Sequence, residues 1–146
     1  MNQLELQVVT FADAVDAIEQ VRRKVFQEEQ SVAVDLDFDG LDEGATQLMA
    51  YWNGEPVGTA RIRYLGEQLA KIERVAVLKS FRGLGIGQAL MQKAIDHLSG
   101  QKIAEAKVNA QIQVKNFYER LGFQQQGEPF YEADILHIEM RRKLMI

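Results

Sequence analysis

The chain has 146 residues, which fits one domain because domains commonly hold roughly 100–200 residues. Its 17 Lys and Arg against 21 Asp and Glu give a net charge of −4, which argues against a protein that binds nucleic acid through a basic surface. The absence of cysteine excludes disulfides and cysteine nucleophiles, two histidines are too few for a multi-histidine metal site, and no apolar run approaches the ~20 residues that span a membrane.

The first half of the chain predicts one strand, one helix and then three strands. Its N-terminal residues lack the basic and apolar regions of a signal peptide, so we expect a cytoplasmic protein. Thr10 precedes apolar residues at helical spacing and is expected to cap the helix, and Asn53 and Gly54 are typical of a two-residue hairpin turn. The strands are expected at residues 4–9, 47–52, 57–65 and 71–78, and the helix at residues 11–29.

Between the helix and the second strand lies an acidic stretch without periodicity. Its carboxylates are Asp35, Asp37, Asp39, Asp42 and Glu43. Such a stretch is typical of a solvated loop, and it also suits a lip that attracts a cationic substrate. The sequence leaves both interpretations open.

The second half alternates helices and strands. Helices are expected at residues 83–99 and 112–121, and strands at residues 103–108, 123–126 and 135–143. The strand–helix–strand unit over residues 71–108 requires two parallel strands, whereas the hairpin strands are antiparallel. We therefore expect an α/β (α+β) fold in which a mixed, mostly antiparallel sheet carries helices on both faces, as a single domain over residues 1–146.

The segment from Ser80 to Gly87 carries three glycines at alternate positions between a buried strand and a helix. Glycine lets a ligand approach the backbone closely, and free N–H groups at a helix start bind anions. The spacing G-x-G-x-G differs from that of dinucleotide-binding folds, and no lysine follows as in a P-loop. The residues alone predict either a site for a pyrophosphate or carboxylate, or a turn for tight strand–helix packing.

Four segments carry a family resemblance. The loop at residues 82–87 reads RGLGIG and resembles the coenzyme A pyrophosphate loop, Arg/Gln-x-x-Gly-x-Gly/Ala, of the GNAT superfamily of N-acetyltransferases. Residues 116–123 read NFYERLGF and resemble the second hallmark of that superfamily, F-Y-x-x-x-G-F. Residues 25–30 read VFQEEQ and are similar to bacterial ElaA-like members. The same similarity is found near the C-terminus at Phe130, Glu132, Ile135, His137 and Met140, so the resemblance covers nearly the whole chain.

The resemblance implies a GNAT-like fold, the acyl-CoA N-acyltransferase fold, with acetyl-CoA as cosubstrate and no metal. Superfamily members splay the strand before the loop from its neighbour at a bulge, which leaves backbone N–H groups for the pantetheine and for a developing oxyanion. The residues expected to bind the coenzyme are Val75, Ala76, Val77, Arg82, Gly83, Leu84, Gly85, Ile86, Gly87, Asn109, Asn116, Phe117 and Tyr118.

The resemblance also implies catalytic side chains. The family places a glutamate on the strand before the loop as base, which assigns that role to Glu73, and the alternative for Glu73 is a buried salt bridge with a nearby arginine. Tyr118 is expected to protonate the leaving thiolate; helical geometry turns it toward the helix edge, while Phe117 and Leu121 share the buried face. The alternative for Tyr118 is a core aromatic. His137 is expected as a second acid or base, or as an acceptor ligand, unless it is structural.

Together these expectations describe an N-acetyltransferase that moves an acetyl group to a primary amine by direct transfer in a ternary complex, since no cysteine can carry the acetyl group. Two alternatives stay open, an acyltransferase that uses another acyl-CoA and a non-catalytic acyl-CoA-binding sensor on the same fold. The acceptor is expected to be a small-molecule or peptide amine. No nucleic acid or membrane is expected as a partner, and the edge strands leave a homodimer open.

Overall fold

A seven-stranded sheet organises the fold in the computed structural model, which describes residues 3–144. The strands are β1 (Leu4–Val9), β2 (Thr46–Trp52), β3 (Glu55–Tyr64), β4 (Leu69–Val77), β5 (Glu105–Gln111), β6 (Gln124–Glu132) and β7 (Ile135–Lys143). The α-helices are α1 (Phe11–Arg22), α2 (Val34–Asp37), α3 (Ile86–Gly100) and α4 (Lys115–Arg120). A π-helix follows α1 at Arg23–Glu29, and 3₁₀ turns precede α3 and α4 at Lys79–Phe81 and Ile112–Val114.

The strands lie in the order β1-β2-β3-β4-β5-β7-β6, and all neighbours are antiparallel except β4 and β5. The parallel pair flanks α3, which confirms the predicted strand–helix–strand unit. The hairpin between β2 and β3 turns at Asn53 and Gly54, whose φ angles are 50° and 85°. Positive φ angles at both central residues are typical of a type I′ turn, one of the two common two-residue hairpin turns, so the turn prediction is also confirmed.

Helices cover both faces of the sheet, as predicted. Leu48 of β2 packs into one core with Leu90 of α3, and its neighbour Met49 packs into the opposite core with Ile18 of α1. Side chains alternate between the faces of a strand, which is why consecutive residues belong to different cores. None of the helices within residues 3–144 is long and apolar enough to cross a membrane.

The first helical segment begins as expected and ends differently. Thr10 caps α1, because its Oγ1 accepts the backbone N–H of Asp13 at 3.1 Å. The last seven residues of the predicted helix, Arg23–Glu29, are π-helical. A π-helical turn differs from an α-helical one by a single hydrogen-bond step, and π-helical turns occur frequently at functional sites.

The C-terminal hairpin is longer than predicted. The expected strand at residues 123–126 stopped before a Gly-x-Pro sequence, but β6 continues to Glu132. A register shift against β7 between Gln126 and Phe130 lets the strand pass Gly127 and Pro129 and resume pairing.

A bulge interrupts β4 near its middle. Thr59 of β3 pairs with Ala76, and Arg61 pairs with Glu73, so two steps along β3 match three steps along β4. Arg74 lies in the extra segment with φ of +54°, a region that residues other than glycine rarely adopt. The bulge therefore redirects the end of β4 that precedes the glycine-rich loop.

On its other edge, β4 separates from β5. Within the described residues the two strands pair over three positions, Leu69–Lys71 with Glu105–Lys107. Beyond Lys71 they diverge, and on this edge the backbone groups of β4 have no strand partner among residues 3–144. The predicted splay between strand and neighbour is therefore present.

Candidate active site

A cavity of about 1130 Å³ lies where β4 and β5 diverge. Its walls come from β4, the glycine-rich loop, α4, the π-helix and the turn between β6 and β7. Concave sites of roughly 300–1,000 Å³ hold drug-sized ligands, so this cavity has room for a ligand of that size or larger.

The glycine-rich loop forms part of the cavity wall. Gly83 and Gly85 both have φ of +81°, and Gly85 is the residue immediately before α3. This backbone conformation favours glycine at both positions, because other residues are strained there. The first N–H groups of α3, from Ile86 onward, lack acceptors within the helix and carry the positive end of its dipole, which favours an anion.

Arg82, expected to contact the coenzyme, is anchored on both sides of its guanidinium. Its Nε donates to the Val77 carbonyl at 2.9 Å, and its two terminal nitrogens each donate to one oxygen of Glu29 at 2.6 Å. The hydrogen bond from Arg82 is the main reason why the pKa of the Glu29 carboxyl lies below its usual value. Because Glu29 ends the π-helix, this pair ties the glycine-rich loop to that helix.

Glu73, the expected base, lies among cations. Its carboxylate accepts hydrogen bonds from Arg61 and from Arg63 (3.0 Å), and it lies 3.2 Å from the Lys71 ammonium. Burial alone would raise the pKa of this carboxyl, but the arginine hydrogen bonds and nearby charges outweigh burial and lower the pKa to about 2. So weak a base accepts a proton poorly near neutral pH, and the geometry favours the alternative of a buried salt bridge.

The acidic stretch is folded onto the sheet. Asp37 and Asp42 are 1% and 4% exposed, and Arg22 of α1 binds both, Asp42 at 2.5 Å. Asp39 pairs with Arg61 at 2.8 Å. The interpretation as a solvated loop is therefore wrong for Asp37 and Asp42, whereas Asp35, Asp39 and Glu43 are exposed. Since arginines already neutralise Asp37, Asp39 and Asp42, these three do not form a free anionic lip for a cationic substrate.

Phe117 and Tyr118 exchange the positions predicted for them. Tyr118 is 8% exposed and packs edge-on against Phe123 with ring centroids 5.9 Å apart, whereas Phe117 is half-buried. The predicted helix over residues 112–121 starts with a tighter 3₁₀ turn, which rotates the following residues relative to a continuous α-helix. Both rings still line the cavity. Burial raises the pKa of Tyr118 to about 12, so its hydroxyl keeps its proton at neutral pH.

His137 lies on β7 at the cavity wall, beside the β6–β7 turn. Its Nδ1 is 2.6 Å from the Ile135 carbonyl, and because a carbonyl only accepts, Nδ1 donates and the Nε2 of the neutral ring keeps its lone pair. Nε2 lies 3.7 Å from a carboxylate oxygen of Glu132, whose other oxygen accepts from Asn109 Nδ2 at 3.3 Å. Within residues 3–144 the buried Oδ1 of Asn109 has no hydrogen-bond partner, so it is open to a donor from a ligand.

The cavity gathers most of the residues that the sequence analysis singled out. Those in its wall are Glu73, Val75, Ala76, Val77, Arg82, Gly83, Gly85, Ile86, Gly87, Asn109, Phe117, Tyr118 and His137. Leu84 and Asn116 are exposed and lie outside this lining.

Comparison with known proteins gives the family. The model of the acetyltransferase (GNAT) domain matches residues 9–144. The chain belongs to the GNAT acetyltransferase family. Both the resemblance stated from the sequence and the expected acyl-CoA N-acyltransferase fold are thereby confirmed.

Individual GNAT relatives agree in sequence and in fold. Protein ElaA of Escherichia coli strain K12 is 32% identical over 136 residues, which cover 88% of this chain and 87% of ElaA. Its crystal structure matches with a TM-score of 0.85 over 96% of this chain and 99% of that one. A crystal structure of an acyl-CoA N-acyltransferase from Pseudomonas aeruginosa is 30% identical with a TM-score of 0.86, over 96% and 99% of the two chains. A GNAT family acetyltransferase from Elizabethkingia anophelis, crystallised with acetyl-CoA bound, shares the fold at 16% identity and a TM-score of 0.72, over 96% and 97%.

Several residues in the cavity of this GNAT protein were given no binding or catalytic role by the sequence analysis. They are Glu29, Arg63, Lys71, Arg74 and Glu132. Arg63 and Lys71 alternate with apolar residues on neighbouring strands, so the period of two would have placed them on one sheet face. Glu29 and Glu132 lie in segments that resemble ElaA-like proteins, but nothing in those segments indicates that their side chains reach the cavity from distant parts of the chain.

Proposed function

We propose that this GNAT protein transfers an acetyl group from acetyl-CoA to a primary amine by direct attack in a ternary complex. The observation that carries the proposal is the cavity at the diverging ends of β4 and β5, next to the bulge and to the glycine-rich start of α3. One cavity thereby offers free strand N–H groups and an anion site. That combination suits a long ligand with a pyrophosphate at one end and a thioester at the other.

In this proposal the coenzyme lies along β4. Its pyrophosphate would accept hydrogen bonds from the backbone of residues 83–87, where positive φ angles at Gly83 and Gly85 open the turn. Its pantetheine would bond to backbone groups of Val75–Val77, which lack a strand partner on the β5 side. An N–H at the bulge would then donate to the thioester oxygen, where negative charge develops as the amine attacks.

His137 is proposed as the base. An alkyl ammonium has a pKa near 10.4 and must lose its proton before it can attack. The free Nε2 of neutral His137 can take that proton, and the Glu132 carboxylate 3.7 Å away would stabilise the resulting imidazolium. Glu73, whose pKa is about 2, is proposed instead to hold Arg61, Arg63 and Lys71 in place.

Tyr118 is proposed to complete the transfer. The new C–N bond forms as the C–S bond breaks, and the electron pair of the broken bond leaves on the coenzyme sulfur. The Tyr118 hydroxyl, protonated at neutral pH because its pKa is about 12, can donate a hydrogen bond to this thiolate. The second proton of the reacting nitrogen, which is released as the amide forms, can then protonate the sulfur.

Incubation with acetyl-CoA and a panel of amines tests the proposal. Released thiol is followed by a colorimetric reagent, and small-molecule products and intact protein are followed by mass spectrometry. We expect one acetylated amine for each thiol released and no change in protein mass.

Other results would replace the proposal. Acetylated protein on the path to product would contradict direct transfer. Faster turnover with a longer acyl-CoA would identify a different donor, and coenzyme binding without thiol release on any amine would favour the sensor.

A further inference from the structure

The cavity wall formed by β3 and β4 carries more positive than negative charge. A connected set of ion pairs runs from α1 through α2 to these strands, and its cations outnumber its carboxylates by one within residues 3–144. The cations are Arg22, Arg61, Arg63, Lys71 and Arg74, and the carboxylates are Asp37, Asp39, Asp42 and Glu73.

The excess charge is concentrated on Arg63 and Lys71. These residues are register partners on neighbouring strands, and within the described chain both pair with the same carboxylate, Glu73. Arg61 also pairs with Glu73, so Arg63 and Lys71 share this one carboxylate with a third cation. The other partners of Arg61 are Asp39 and Asp42 of the acidic stretch.

Arg63 and Lys71 are also accessible. Both line the cavity, and their side chains are 26% and 13% exposed, whereas that of Arg61 is fully buried. A lysine ammonium has three donors, and the Lys71 ammonium meets one carboxylate oxygen. A second anion can therefore bind both side chains without displacing Glu73.

From this arrangement we propose that the acceptor amine carries a carboxylate, which Arg63 and Lys71 bind. The inference rests on the proposed acetyl transfer for the identity of the reacting amine. It replaces the expectation of a cationic acceptor, because Asp37, Asp39 and Asp42 of the acidic stretch already pair with arginines, and Asp35 and Glu43 lie outside the cavity lining.

The geometry also sets the length of the acceptor. The amine must reach the thioester near Val75, and Lys71 lies four residues away on the same strand, roughly 10–13 Å at about 3.3 Å per residue. The side chain of Lys71 spans part of this distance, and the acceptor spans the rest. Its amine and carboxylate are thus several bonds apart, as in an ω-amino acid, and not on one carbon.

Three compounds test the proposal, each with an amine at one end of a chain of five carbon atoms and a different group at the other end. Opposite the amine, 6-aminohexanoate has a carboxylate, pentylamine has no group, and cadaverine has a second amine. Their binding to the protein saturated with coenzyme A is measured by calorimetry, and their acetylation by thiol release. We expect 6-aminohexanoate to bind roughly 10–100-fold more tightly than pentylamine, the range for a hydrogen bond to a charged group, and cadaverine to bind least tightly.

Variants at two neighbouring lysines locate the effect. Lys71→Gln should lower the preference for 6-aminohexanoate over pentylamine at least about fivefold, and Lys71→Arg should keep most of it. Lys107 is the register partner of Lys71 on β5, and it lies outside the cavity lining, where it pairs with Glu139 at 3.5 Å. Lys107→Gln is therefore the matched control. It should change the preference for 6-aminohexanoate less than about twofold. Circular dichroism of each variant checks the fold.

The outcomes separate this inference from the proposed function. If 6-aminohexanoate binds with the expected preference but is not acetylated, the substrate class stands and the transferase assignment fails. Acetylation of all three amines with equal kcat/KM, or a preference for cadaverine, would overturn the carboxylate inference and leave the transferase intact. A preference that survives in Lys71→Gln, or no binding of any of the three, would also overturn it.

Discussion

Arg82 binds both carboxylate oxygens of Glu29 at 2.6 Å each, although the two residues are 53 positions apart in the chain. The next residue, Gln30, accepts a hydrogen bond at 3.0 Å from Gln111 at the end of β5. The end of the π-helix is thereby tied to the segment after β4 and to β5. The end of the π-helix therefore connects the β4 side and the β5 side of the slot in which we propose that the coenzyme binds.

Replacing Glu29 by glutamine should raise the affinity for coenzyme A several-fold at low salt. The change removes a negative charge beside the proposed pyrophosphate site, and the glutamine carbonyl can still accept from Arg82. The unfolding free energy should change little, because an exposed ion pair contributes only about 0–1 kcal/mol. Glu19→Gln, which removes an exposed partner of Arg23 outside the cavity lining, is the control in calorimetry. Weaker coenzyme binding in Glu29→Gln would mean that Glu29 is needed to orient Arg82.

Gly85→Ala should destabilise the protein by about 1–2 kcal/mol, since alanine is strained at φ of +81°. It should also weaken coenzyme A binding roughly tenfold, because the strained turn moves the first N–H groups of α3. Gly100→Ala, at the other end of the same helix, has free space for a methyl group and no positive φ, so neither quantity should fall. Denaturant unfolding and calorimetry measure both. If Gly85→Ala lowers the stability but leaves the affinity for coenzyme A unchanged, the pyrophosphate does not bind at the start of α3.

Tyr118→Phe should slow acetyl transfer by roughly 10²-fold while leaving the melting temperature nearly unchanged. Within the described residues the Tyr118 hydroxyl has no hydrogen bond to lose, and the ring keeps its packing against Phe123. Tyr131→Phe, at a largely exposed tyrosine, controls for the loss of a hydroxyl. A lower melting temperature with full activity would show a purely structural tyrosine.

His137→Gln should lower turnover by roughly 10²–10⁴-fold, the usual contribution of acid–base catalysis, with coenzyme affinity preserved. Glu73→Gln separates the two candidate bases, because a carboxyl whose pKa is about 2 contributes little as a base. Steady-state kinetics on both variants decide the matter. Full activity in His137→Gln together with a large loss in Glu73→Gln would return the role of base to Glu73.

Glu73 should also shape the acid stability of the protein. Its pKa is about 2 in the folded chain and near 4.5 ordinarily, so its ionised form stabilises the fold fully above pH 4.5. This contribution, on the order of 3 kcal/mol, should disappear as the pH falls through 2. Urea unfolding of wild type and Glu73→Gln across this range should show a difference in unfolding free energy that shrinks with acidity. A difference that is constant with pH would contradict the ion-pair role.

Local patterns predicted the elements that local physics determines. The alternation of apolar residues placed the last strand at residues 135–143, which are the bounds of β7. The glycine spacing placed a helix start beside an anion site, and Gly85 does precede α3 with positive φ. These features depend on residues that are close together in the chain.

Features that depend on tertiary contacts were missed or left as open alternatives. Nothing near Asp37 in the sequence indicates that it forms an ion pair with Arg22. The two residues lie on different helices, α1 and α2, and the pair depends on how these helices pack in the folded chain. The rotation of Tyr118 depends on the 3₁₀ turn before α4, whereas the sequence predicted one continuous helix. For Glu73 the sequence left a base and a buried salt bridge as alternatives, and the choice depends on cations from two strands that only the strand register brings together.

The central claim is that the slot between β4 and β5, with the glycine-rich loop, holds acetyl-CoA. Titrating isotope-labelled protein with acetyl-CoA and recording backbone amide NMR spectra tests it residue by residue. The account predicts that the largest, saturable shifts occur at residues 75–77 and 83–87 of β4 and the loop, and that the β1 edge strand is unaffected. Saturable shifts elsewhere that spare these two segments, or no shifts at millimolar acetyl-CoA, would contradict it.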